Sequence, residues 1–124
     1  MKYKALINTI FGLLVFQFIL GMLANLYAKI PTHKPYEVFQ QFGFIAFHAV
    51  NATLLVVLGI ILTIKSRGQS DFKLAATGLA NMVIAYVFGE LFVFTQQDIF
   101  SLLMALSFIG ALMSYARLVF SPAG

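Results

Sequence analysis

The chain has 124 residues, of which 61% are hydrophobic and only 10% are charged. Soluble domains average roughly 25% charged residues, so this composition excludes an ordinary soluble fold and is typical of a protein embedded in a bilayer. The absence of cysteine excludes disulfides and thiolate metal ligands. The net charge of +4 comes from Lys and Arg residues that flank apolar segments, which indicates membrane topology and not a nucleic-acid partner.

Four apolar segments are each long enough to cross a bilayer core of about 30 Å as a helix. They cover residues 5–28, 42–64, 74–95 and 99–120. We expect helices because open strands cannot satisfy their backbone hydrogen bonds in lipid. The connections are short, and Gly68 should follow the end of the second helix. The sequence therefore predicts an all-α fold, with four transmembrane helices in a single domain over residues 1–124.

The distribution of basic residues predicts the orientation of the helices. Only Lys29 and Lys34 lie near the connection between the first two helices. The other side of the membrane receives Lys2, Lys4, Lys65, Arg67, Lys73 and Arg117. Because cytoplasmic segments carry the excess of Lys and Arg, we expect an up-down-up-down bundle with both termini in the cytoplasm. The expected location is the cell membrane.

Two ionisable side chains interrupt the apolar segments. His48 lies six residues after the start of the second segment, and Glu90 lies five residues before the end of the third. These separations are about 9 and 8 Å along a helix axis, so the predicted topology places both side chains at one depth in the outer leaflet. Ionisable residues inside a membrane are functional candidates by default because they are costly to bury.

Two further residues are binding candidates because of their spacing from the ionisable pair. Asn51 shares a helical face with His48, and Tyr86 precedes Glu90 by four residues and can donate a hydrogen bond to it. The structural alternative is that neutral His48 bonds to Glu90, to Asn51 or to a backbone carbonyl.

Three amides within the apolar segments fit a structural role. Asn51, Gln17 and Asn81 would then form interhelical hydrogen bonds. A weak internal repeat, which aligns residues 18–23 with residues 86–91, favours two related helix pairs.

The first two helices carry a short motif with a family resemblance. Gln17 and Gly21 bracket the sequence QFILG, and His48 and Ala52 follow early in the second helix. This pattern resembles the helix-pair unit of haem A synthase-type membrane cytochromes, in which a histidine at the outer end of the second helix ligates haem. The resemblance implies that His48 is an axial ligand of haem b, or another metal ligand. In the second half, Ser101 stands where the family pattern would have a histidine.

The chain has no phosphate loop, nucleophile elbow, HExxH or CxxC motif, and we expect it not to be an enzyme. Three functions remain open. The first is a non-catalytic subunit of a larger membrane complex, in contact with lipid and with other transmembrane subunits or copies of itself. The second is a b-type haem-binding membrane protein that uses His48. The third is a small proton-linked carrier that uses His48 and Glu90.

Overall fold

The computed structural model describes residues 3–30, 33–38 and 43–121, apart from the side chain of Tyr36. It contains four long helices: α1 (Lys4–Tyr27), α2 (Gly43–Lys65), α3 (Phe72–Thr95) and α4 (Asp98–Phe120). Each is long and apolar enough to span a membrane, and these residues include no strand. The predicted all-α, four-helix fold is therefore confirmed, with helix bounds within two residues of those expected. Lys2 and Phe42, the first residue of the second predicted segment, lie outside the described residues.

The helices end where the backbone leaves helical geometry. After α2, Gly68 adopts a positive φ of 79°, a conformation that suits glycine because it has no Cβ. After α3, Gln96 adopts the left-handed conformation with φ 55°. Its N–H donates to the carbonyl of Phe92 at 2.7 Å and so satisfies one of the last free carbonyls of α3. The prediction that Gly68 follows the second helix is confirmed.

The four helices pack as a ring, in which each contacts its two neighbours along the ring. The contact between α3 and α4 is the most extensive, and α1 packs next most closely on α2. In the described ranges, the diagonal pairs α1–α3 and α2–α4 do not approach closely. A short 3-10 helix, Pro35–Glu37, lies in the connection between α1 and α2 and contacts α3.

Two side-chain contacts bring ends of different helices close together. The Gln69 amide donates to the Tyr3 hydroxyl at 3.2 Å, which joins the start of α1 to the connection between α2 and α3. The rings of Phe11 and Phe120 meet edge to face at 5.9 Å, which joins the first half of α1 to the end of α4. These contacts agree with the predicted up-down-up-down order. That order and the cytoplasmic placement of both termini stay predictions.

Side-chain burial divides the bundle into two halves. Every buried residue of the helices lies within residues 4–20, 51–65, 72–82 and 111–120, which we call the packed half. The open half comprises residues 21–27, 43–50, 83–95 and 98–110, and none of these residues is buried. All the buried side chains of α1 to α4 therefore lie in the packed half.

Tyr115 fills the centre of the packed half and is fully buried. Its ring lies so close to Gly78 of α3 that a Cβ there would be 2.6 Å from the Tyr115 Cε2 atom. Its hydroxyl would be 3.1 Å from a Cβ at Gly59 of α2. Among the described residues this hydroxyl has no hydrogen-bond partner. Tyr115 of α4 thus packs closely against both α2 and α3. The two glycines leave the space that its ring and hydroxyl occupy.

Substitution of Gly78 should test this packing directly. We expect Gly78→Ala to lower the free energy of unfolding by about 1–3 kcal/mol relative to Gly12→Ala, because an added methyl group overpacks the tyrosine ring. Gly12 is the matched control: it also lies within a helix, and a Cβ there would meet nothing within 4 Å. Because both variants replace a helical glycine by alanine, the higher helix propensity of alanine cancels in the comparison. The free energy of unfolding of each variant is measured by denaturant titration in bicelles. Equal stability of the two variants would contradict this account of the core.

Candidate functional site

A cluster of three polar side chains joins α1 to α2 at the boundary between the packed and open halves. Asn51 donates through Nδ2 to Gln17 Oε1 at 2.9 Å and to the Leu13 carbonyl at 3.0 Å. Gln17 in turn donates through Nε2 to the His48 carbonyl at 3.1 Å. Gln17 and Asn51 are both buried, so these bonds satisfy amide groups that would be costly in an apolar environment. We call Gln17, His48 and Asn51 the polar cluster.

The His48 ring also faces Gln17, with 3.4 Å between its Nε2 and the Gln17 Nε2. An amide nitrogen only donates, so a hydrogen bond here makes His48 Nε2 the acceptor. The neutral ring then carries its proton on Nδ1. That nitrogen is buried and has no hydrogen-bond partner in the part of the chain that the structure describes. An unsatisfied buried donor costs about 1–3 kcal/mol.

Gly21 allows the histidine ring to lie against α1. A Cβ at Gly21 would be 3.4 Å from His48 Cε1 and 3.9 Å from Nδ1. The absence of a side chain at this position thus leaves room for the imidazole between the two helices. The motif that carries the family resemblance is therefore brought together in space, since Gln17 and Gly21 both lie against His48.

The structure does not join Glu90 to its expected partners. In the described ranges the one ion pair links Lys34 to Glu37 at 3.7 Å. The expected hydrogen bond from Tyr86 to Glu90 is wrong, because the Tyr86 hydroxyl lies 3.3 Å from Thr53 Oγ1. Thr53 uses its own proton for the Ala49 carbonyl at 3.1 Å, so Tyr86 is the donor. This contact links α2 to α3 and leaves the Glu90 carboxyl half-buried without a described partner.

Asn81 also differs from its expected role. Its Nδ2 donates to the Thr77 carbonyl at 3.0 Å within the same helix, so the predicted interhelical hydrogen bond is wrong. The side chain still contacts α4 by packing, since a Cβ at Gly110 would be 2.6 Å from Asn81 Oδ1. The interhelical hydrogen bond predicted for Asn51 is confirmed, and so is that of Gln17.

The arrangement around His48 does not fit an axial haem ligand. Its Nε2 is turned to the Gln17 amide, and its Nδ1 is buried beside Gly21, so both ring nitrogens face α1. A metal would have to separate α1 from α2 to reach either nitrogen. Of the methionines that could supply sulfur as a second ligand (Met22, Met82 and Met104), Met82 packs against Gly59 and Met104 against Gly89. Among the residues with described positions, no three His, Cys, Asp or Glu side chains form a metal-binding group.

Comparison with known proteins adds no identification. The chain matches no protein-family model, no curated protein and no solved structure. The resemblance to haem A synthase-type cytochromes therefore stays an expectation.

Sequence reasoning missed two parts of this arrangement. It singled out His48 but gave it other partners than Gln17, which contacts both other members of the polar cluster. It also passed over Thr53, since a threonine in a transmembrane helix commonly bonds the carbonyl four residues earlier and so gives no distinct signal. Chemically, the polar cluster can fix the register of α1 against α2.

A double-mutant cycle tests the polar cluster. We expect Gln17→Ala and Asn51→Ala to show a coupling energy of about 0.6–1.7 kcal/mol, the range for interhelical hydrogen bonds in bilayers. The measurement is the free energy of unfolding of the two single variants and the double variant in bicelles. The control cycle pairs Gln17→Ala with Asn81→Ala, whose amide bonds within its own helix, and should give a coupling near zero. Equal coupling in both cycles would rule out a specific bond.

Proposed function

We propose that this small integral membrane protein is a non-catalytic subunit of a larger membrane protein complex, located in the cell membrane. Its open half would contact a transmembrane segment of the partner. The packed half holds the chain together and positions that surface. In this proposal the polar cluster has a structural role, because it fixes α1 against α2 where the packed half ends.

The main support for the proposal is that the Glu90 carboxyl, in the open half, has no described partner. Its carboxyl group lies within an apolar helix, five residues before the end of α3, and has no hydrogen bond or ion pair among the described side chains. Ionisable groups at such positions are costly unless they face a partner or a water-filled space. A polar group supplied by a second protein would satisfy this carboxyl.

The packing of the open half supports the same proposal. Its helices contain no buried residue, and the contacts between α3 and α4 there, Phe88 with Phe100 and Gly89 with Met104, leave all four residues partly accessible. Between transmembrane helices, close packing and interhelical hydrogen bonds drive association, because lipid tails are as apolar as leucine. A partner helix would therefore form the most new packing contacts at the open half, where packing within this chain is incomplete.

Photo-crosslinking from two positions of α4 tests the proposal. Leu102 lies in the open half and Met113 in the packed half, with exposed fractions of 54% and 62%. They are eleven residues apart in α4 and so lie about 20° apart around the helix. We expect a photoreactive residue at 102 to form an adduct with a larger membrane protein in native membranes. The matched position 113 should form adducts with lipid alone.

A variant of Glu90 tests whether the adduct at position 102 depends on the Glu90 carboxyl. In the Glu90→Leu background, the yield of the adduct at position 102 should fall severalfold, whereas Glu37→Gln should leave it unchanged. The yields are read from gels and identified by mass spectrometry. No protein adduct at position 102, an adduct only with a second copy of this chain, or equal adducts at both positions would overturn the proposed subunit role.

A further inference from the structure

Most of the positive charge lies at the outer end of the packed half, the end away from the open half. There the Tyr3–Gln69 hydrogen bond joins the start of α1 to the connection between α2 and α3, and the Phe11–Phe120 contact joins α1 to the end of α4. The basic side chains at this end are all exposed: Lys4, Lys65, Arg67, Lys73 and Arg117. We call these five residues the basic face.

The charge of the basic face is not neutralised within the described chain. The ion pair between Lys34 and Glu37 lies in the connection between α1 and α2, whereas no member of the basic face forms one with a described residue. The acidic side chain nearest in sequence is Asp71, which precedes α3 and makes no capping hydrogen bond to it. Five cations with one carboxylate nearby give this end a strong affinity for anions.

An open surface cavity at this end combines a cation with apolar side chains. It has a volume of about 330 Å³ and lies between the start of α3 and the end of α4. Arg117 and Ser121 provide the polar part of the lining, and Leu74 and Phe120 provide the apolar part. The Phe120 side chain is 75% exposed, so the cavity continues onto the lipid-facing surface of α4.

This combination matches an amphiphile with an anionic head. A planar guanidinium forms paired, charge-assisted hydrogen bonds with phosphate oxygens, and a serine hydroxyl can donate another. The apolar side chains next to them would contact the beginning of an acyl chain. Basic residues that flank membrane helices are required by topology alone, but topology does not require an arginine beside apolar side chains in a surface cavity. Basic pockets between transmembrane helices are suited to anionic lipid headgroups.

We propose that the cavity between α3 and α4 binds the phosphate headgroup of an anionic phospholipid, with Arg117 as its main contact. Leu74 and Phe120 contact the adjoining acyl chain. The remaining cations of the basic face attract the headgroup over a longer range. This inference rests on the membrane fold and does not depend on the proposed subunit role.

Native mass spectrometry of the full chain in detergent tests the proposal. Dioleoyl phosphatidylglycerol is titrated, and its dissociation constant is compared with that of dioleoyl phosphatidylcholine. We expect the anionic lipid to bind more tightly and Arg117→Gln to weaken its binding about fivefold, the ratio that roughly 1 kcal/mol per basic residue gives. Arg117→Lys should weaken binding less than Arg117→Gln, because it keeps the charge but loses the paired hydrogen bonds of the guanidinium.

Two controls separate the cavity from a diffuse charge effect. Lys65→Gln removes a charge from the same end but outside the cavity lining and should weaken binding less than twofold. Inorganic phosphate at the same concentration should not displace the lipid. Equal losses for Lys65→Gln and Arg117→Gln, no loss for Arg117→Gln, equal affinity for both lipids, or displacement by inorganic phosphate would overturn the proposal.

Discussion

The arrangement of the bundle depends on the side-chain amide of Gln17. In a bilayer, a buried amide must find partners within the protein, because lipid offers none. Gln17 finds them on α2, where it accepts from Asn51 and donates to the carbonyl of His48. These bonds fix both the rotation and the axial position of α1 against α2. The His48 ring then fits only because Gly21 leaves space for it on α1.

The polar cluster also marks a change in packing along the bundle. On one side of it, Tyr115 fills the space between α4, α3 and α2, and Gly59 and Gly78 have no side chain that would exclude it. On the other side no residue of α1 to α4 is buried, and the Glu90 carboxyl lacks a described partner. The chain thus has one half with buried side chains in every helix and one half whose helices have none. This difference is what connects the fold to the proposed subunit role.

The sequence was sufficient for the features that depend on one helix at a time. Length and hydropathy predicted the four helices, and Gly68 predicted the turn after α2. Glycine is common at such turns because a residue without Cβ adopts a positive φ easily, as Gly68 does. Partner choice between helices was less predictable. Tyr86 and Glu90 share a helical face, yet Tyr86 donates to Thr53 of α2.

The reason is that a side chain selects among all groups within reach, which depends on helix tilt and rotation as well as on spacing. For the same reason Asn51 bonds across helices while Asn81 bonds within its own. The function classes, which depend on what lies outside the chain, were left open by the sequence.

The central claim is that the helices pack less tightly in the open half than in the packed half, where all the buried residues of α1 to α4 lie. Distances between pairs of spin labels in lipid nanodiscs test it most directly, and the chain has no cysteine of its own to interfere with labelling. One labelled pair, Phe47→Cys with Leu102→Cys, spans the open half. The other pair, Ile64→Cys with Met113→Cys, spans the packed half, and all four positions are exposed. The account predicts a broad distance distribution for the first pair and a narrow one for the second, whereas equally narrow distributions in the isolated protein would contradict it.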